Sequence, residues 1–169
     1  MMPENKSAVT MPRANDPLLQ PFRLKHLLLR NRVVSTSHAS MLDEGGLPLQ
    51  RYLRYHEEKA RGGLALTMIG GSAMTSPDSS WGGGQLDLTD DRIIPHLRRL
   101  SDCIHGHGAA IMGQLSHLGR RATAYGGNWL PVLAPSRLRE TRGRNFPRQM
   151  DAADIHRIIA DYAAAARRS

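Results

Sequence analysis

Cysteine is almost missing from this sequence. Cys103 is the single one, which excludes an internal disulfide and argues against a cysteine-rich metal or iron–sulfur site in this stretch. A reducing, cytoplasmic setting is the simpler expectation. Large aromatics are sparse, with two Phe and two Trp in 169 residues, so a core must rest on Leu, Ile, Val, Met and Ala. No apolar run approaches the roughly 20 residues of a membrane span. The polar start Met1–Ser7 has no apolar stretch behind it, so a signal peptide is not expected. Ser35–Ser40 holds no glycine, so the Gly-x-Gly-x-x-Gly turn of a dinucleotide-binding sheet does not follow the first strand. No Gly-x-Ser-x-Gly occurs either, which leaves a serine-hydrolase reading without support. Acidic residues are outnumbered, and the formal net charge is +8. Five arginines lie between Arg137 and Arg148. They sit in a Pro/Gly-bearing loop without interleaved aromatics, so no nucleic-acid partner is expected.

What is present is an alternation. Residues 1–15 are polar and irregular and read as a disordered tail. Arg32–Thr36 is a short β-type run. Leu49, Leu53, His56 and Ala60 recur at helical spacing, and Gly62–Gly63 stops that helix. Leu64–Ile69 is continuously apolar, the pattern of a strand covered on both faces. A long loop over Gly70–Asp90 follows. A second helix carries Ile93, Ile94, Leu97, Leu100 and Ile104 on one face, with Asp91 as N-cap and Pro95 in the first turn. Ala109–Leu115 is a third strand. A loop of more than 30 residues then runs to about Asp151, and a third helix bears Ile155, Ile158, Ile159, Tyr162, Ala163 and Ala166. Strands alternating with helices predict a parallel sheet, and the missing glycine turn favours a barrel. A complete (β/α)8 barrel needs about 250 residues, so three units make less than half of one. The expected domain spans residues 16–169, the opening part of an enzyme.

Candidate chemistry gathers at strand ends, where α/β folds place their sites. Gln114 ends the third strand in Gln114-Leu115-Ser116-His117-Leu118-Gly119-Arg120, and His117 with Arg120 forms a candidate pair. His38 follows the first strand. His105, His107 and His117 have no carboxylate or cysteine at evident ligand spacing, so no metal site is expected. Cys103, near Leu100 and Ile104, reads as a buried inert thiol.

Three segments carry a resemblance: Leu29-Arg30-Asn31-Arg32-Val33-Val34, Arg61-Gly62-Gly63-Leu64-Ala65-Leu66-Thr67, and the Gln114–Arg120 run, with a looser match at Ala134-Pro135-Ser136. In order and spacing the chain resembles the old yellow enzyme family of FMN-dependent oxidoreductases, in its 2,4-dienoyl-CoA reductase-like and N-methylproline demethylase-like branch. The resemblance implies a (β/α)8 TIM barrel holding FMN at its C-terminal mouth, of which about the first three units are here. It implies NAD(P)H as reductant, with hydride transfer to an activated alkene or from an amine. It places Thr36, Ser37, His38 and Ala39 along the flavin, Gly70 where the ring needs room, and Gln114 on the pyrimidine edge, where one carboxamide can both donate and accept. Many relatives carry Cys or Thr where Ala39 stands, Pro at Ser37, and some carry Tyr at Met41. The family's later substrate and phosphate residues would fall beyond Ser169. The expected partners are a small-molecule substrate and a polypeptide completing the barrel, without a membrane. The alternative is a non-catalytic truncated or split chain, inactive alone.

Overall fold

The computed structural model describes residues 15–123 and 131–169; the expected tail lies outside them except for Asn15. The chain first forms an antiparallel hairpin from β1 (Phe22–Leu24) and β2 (Leu27–Leu29), turning through Lys25 at a φ of 52°. Sequence periodicity passes over it because three-residue strands are too short to show a period.

The body is the expected alternation: β3 (Val34–Ser35), α1 (Gln50–Arg61), β4 (Leu66–Met74), α2 (Ile94–Gly106), β5 (Ala110–Ser116) and α3 (Ala152–Arg168). The three strands lie in the order β3-β4-β5 and are parallel. Val34 is level with Leu66, and Leu66 with Ala110. On one face Ile69, Ile111 and Leu115 join Leu53, Leu97, Leu100 and Ile104 in the larger core under α1 and α2. On the other, Leu66, Met68 and Ala110 meet Leu27 and Leu29 of the hairpin. Burial on both faces explains why β4 reads as a continuous apolar run.

Local chemistry accounts for the helix ends. Gly62 and Gly63 end α1, Gly63 at a φ of 96°, a region open to glycine. The cap before α2 is Asp90, not Asp91. Its carboxylate accepts from the Arg92 N–H at 2.8 Å, in a tight turn over Asp91–Ile93 that shifts the entry by one residue. Pro95 does fall in the first turn. Asp151 and Asp154 bond each other's backbone N–H groups at the start of α3, a capping box.

Two expected loops hold more order than the sequence suggests. β4 runs on to Met74 rather than stopping at Ile69. Within the long loop before Asp151, β6 (Leu133–Ala134) and β7 (Arg148–Gln149) pair in parallel, and Val132, Leu133 and Ala134 are buried. Two-residue strands leave no trace in a periodicity.

Among the described residues the sheet is an open arc. Val34 and Met112 are exposed on the hairpin side, beside a cavity of about 400 Å³. The apolar stripe of α3 forms as predicted, but Ile155 and Ile159 are 48% and 62% exposed.

Candidate functional site

The pairing of β4 with β5 breaks at one place. Leu66 to Ile69 stand level with Ala110 to Gly113, and pairing resumes at Ala73 with Leu115. Gly70, Gly71 and Ser72 therefore face Gln114 alone, a bulge of the kind that re-aims a side chain beside a site. All three have positive φ, at 108°, 58° and 85°. Glycine adopts that region freely; Ser72 does so at a cost of order 1–3 kcal/mol. The strained Ser72 N–H donates to Gln114 Oε1 at 3.0 Å. Gln114 is exposed, and its amide nitrogen has no hydrogen-bond partner among the described residues.

The bulge also meets the segment after β3. A Cβ at Gly70 would sit 2.7 Å from the Gln114 carbonyl oxygen, and one at Gly71 would run into the backbone of His38 and Ala39. Three strand ends thus touch: His38–Ala39, Gly70–Gly71 and Gln114. Thr36 and His38 are exposed there, and Ser37 and Ala39 are half-buried. The Ser40 hydroxyl is buried without a partner among the described residues.

Side chains of α1 support this rim from behind. The Gly70 N–H donates to the Tyr52 hydroxyl at 3.1 Å. Burial pushes the Tyr52 phenol up to about 12, so it stays protonated at neutral pH. His38 Nε2 lies 2.5 Å from the Tyr55 hydroxyl. Lys59 sits 4.1 Å from the centre of the Tyr55 ring and donates to Ser35 Oγ at 3.0 Å. His56 Nδ1 and Thr67 Oγ1 share a buried hydrogen bond of 2.8 Å. Burial, then the nearby Lys59 and His38, push His56 down to about 3. Tyr52, Tyr55 and Ser72 were not singled out from the sequence. The two adjacent glycines inside a strand were the available signal, since they mark a bulge or a close backbone approach.

His117 does not join this rim. Its Nδ1 accepts from the Gly119 N–H at 3.1 Å, and its Nε2 faces Asp78 Oδ1 at 3.4 Å. Asp78 also pairs with Arg157 at 2.6 Å, and Arg157 with Asp161 at 2.8 Å. Burial alone would raise the Asp78 carboxyl, but His117 and Arg157 beside it hold it down to about 2. The Tyr162 hydroxyl accepts from the His117 N–H at 2.8 Å. His117 is therefore a latch between the end of β5 and α3, while Arg120 lies exposed on the next turn.

The histidines expected to be unrelated to any metal do not cluster with one another, but His107 meets Glu57 and Cys103. The expectation rested on spacing along the sequence; folding is what brings a carboxylate and a cysteine beside His107. Cys103 is half-exposed rather than buried, and burial with the Glu57 carboxylate raises its thiol.

Comparison with known proteins gives the chain its family. The sequence profile of the NADH:flavin oxidoreductase / NADH oxidase family matches residues 17–169. The chain belongs to that family. Family membership implies FMN as cofactor, with NAD(P)H as the family's reductant. The chain is 57% identical over 155 residues to the "Multifunctional alkene reductase/demethylase OYE" of Caballeronia cordobensis, covering 92% of this chain and 23% of that protein. It is 51% identical over 154 residues to a Rhizobium meliloti protein named "Probable N-methylproline demethylase", covering 91% and 23%. The chain thus spans about a quarter of the length of these relatives. Among solved structures, morphinone reductase in complex with tetrahydroNAD superposes with a TM-score of 0.83 at 22% identity, over 91% of this chain and 46% of that one. At that identity the likeness shows the fold alone, and the chain follows part of an old yellow enzyme TIM barrel. No helix among the described residues is long and apolar enough to cross a membrane.

Proposed function

We propose that this chain is the N-terminal part of an FMN-dependent NAD(P)H:flavin oxidoreductase, supplying the first three βα units of its barrel and one side of its flavin site. The observation that carries the reading is the contact of three strand ends, His38–Ala39, Gly70–Gly71 and Gln114, across a bulge that a Cβ would block. Such a surface fits a flat ring that must approach the backbone closely. Thr36, Ser37, His38 and Ala39 would lie along the ring, Gly70 would leave it room, and Gln114 would meet its pyrimidine edge. FMN, when bound, supplies a two-electron centre able to exchange a hydride with NAD(P)H and with an activated alkene or an amine.

The roles of this chain's residues follow from their contacts. Ser72 fixes Gln114 Oε1 from behind and leaves the amide nitrogen to donate outward. Tyr55 orients His38 beside the ring, and Tyr52, kept neutral, holds the Gly70 backbone. Ala39 offers no hydrogen bond where many relatives have Cys or Thr, so the flavin's electronic tuning rests on other groups. The substrate is a small molecule, alkene or amine.

A second reading is a split or shortened product in which a separate polypeptide supplies the remaining strands. The exposed Met112, Ile155 and Ile159 favour it equally, since either source would cover them. Both readings are tested by expressing residues 1–169 alone and joined to the remaining barrel strands. The joined form should hold FMN, and Gln114→Ala should weaken it by roughly 1–3 kcal/mol, the cost of leaving a buried polar partner unpaired. FMN affinity unchanged by Gln114→Ala would count against this placement of the ring.

A further inference from the structure

The seam between α1 and α2 holds three donors that the flavin rim does not use. Cys103 and His107 stand four residues apart at the end of α2, one above the other on one face. Glu57 faces them from α1. A Glu57 carboxylate oxygen, the Cys103 sulfur and a His107 ring nitrogen all lie within 4.8 Å of one another, with Glu57 Oε1 3.4 Å from His107 Nε2. All three residues are half-buried, open enough for an ion to enter.

We propose that Glu57, Cys103 and His107 form a binding site for a zinc-class divalent cation on the outer wall of the barrel. Carboxylate, thiolate and imidazole are the three side-chain types that zinc accepts, at bond lengths of about 2.0–2.3 Å. Donors within 4.8 Å of one another reach such a centre by closing through side-chain rotations. The thiol proton passes to solvent on ligation. Three protein ligands leave a fourth tetrahedral position for water.

The backbone under the ligands is already tied. The Arg30 guanidinium donates to the Ala60 carbonyl at 2.8 Å, to the Leu64 carbonyl at 2.7 Å and to the His107 carbonyl at 2.8 Å. One side chain therefore joins the end of α1 to the end of α2 and fixes the distance between their ligands. The nearby cation Arg99 is held by Gln50 Oε1 at 2.9 Å. Without a metal the Glu57 carboxylate is the hub of the set, facing both the His107 ring and the Cys103 thiol.

Cobalt(II) is the probe, because thiolate ligation gives it a near-ultraviolet charge-transfer band. The FMN-loaded, chelator-treated protein carrying this chain is titrated with cobalt and then with zinc. The expected result is one cobalt per chain with that band, its displacement by zinc, and a raised Tm. Cys103→Ala should abolish the band, while Glu57→Gln should weaken binding at least roughly tenfold. Flavin absorbance should stay unchanged in both variants. If Cys103→Ala misfolds, Glu57→Gln and His107→Gln decide the question. Failure of the wild type to bind cobalt or zinc in excess, or cobalt affinity unchanged in the folded variants, overturns the proposal.

Discussion

At the scale of single residues, the rim depends on backbone that side chains cannot occupy. Gly71 is the sharpest instance: its φ is 58°, and a Cβ there would meet the His38 carbonyl and the Ala39 nitrogen. Gly71→Ala should destabilise the protein by about 1–3 kcal/mol through backbone strain alone, with displacement of the β3 segment in addition. Denaturant midpoints at constant slope measure it, and an unchanged midpoint would show that the segment moves aside without cost. Gln114 was legible in the sequence because it ends an apolar run with an amide. Ser72 was not, because it acts through its N–H, which every residue but proline owns. His117 looked catalytic in a one-dimensional motif; its partners Asp78 and Tyr162 are 39 and 45 residues away on opposite sides, and only folding reveals them.

At the scale of elements, α1 is fastened to β4 by a histidine that stays neutral. His56 is buried against Thr67, and its pKa is lowered from 6.5 to about 3. The unfolded chain takes up a proton below its pKa of 6.5, whereas the folded chain does not until about 3. This contribution to stability is complete above pH 6.5 and is lost as pH falls toward 3, with a slope approaching about 1.4 kcal/mol per unit. His56→Gln should flatten the pH dependence between 6.5 and 5 in urea unfolding; an equally steep wild-type and variant slope would assign the effect elsewhere. The long elements were readable because their patterns extend over several residues: Leu97, Leu100 and Ile104 recur on one face of α2, and the run Leu64–Ile69 that enters β4 is apolar because both its faces are covered. The hairpin β1–β2 and the pair β6–β7 were not, since strands of two or three residues are defined by partners rather than by pattern.

At the scale of the whole molecule, the arc leaves apolar groups to be covered. Met112 is 42% exposed on β5, Val34 44% on β3 and Ile159 62% on α3. An unpaired, partly apolar sheet edge invites association. Residues 1–169 alone should therefore self-associate or fold loosely, bind FMN weakly and show no NAD(P)H oxidation. Size-exclusion chromatography, thermal scans and flavin fluorescence check this together. A monomer with a sharp cooperative transition and stoichiometric FMN would contradict both the open arc and the placement of the flavin site.

The bulge in β4 has a consequence for how such a barrel can vary. Below it, from Leu66 to Ile69, the ladder with β5 is continuous with the core, so inserting or removing one residue there would turn each following side chain to the wrong face. Above it, Ala73 and Met74 are paired afresh with Leu115 and Ser116. The rim is thus indexed independently of the wall. A change of length among residues 70–72 would be absorbed at the break, reshaping the mouth while the packing under α1 and α2 keeps its register.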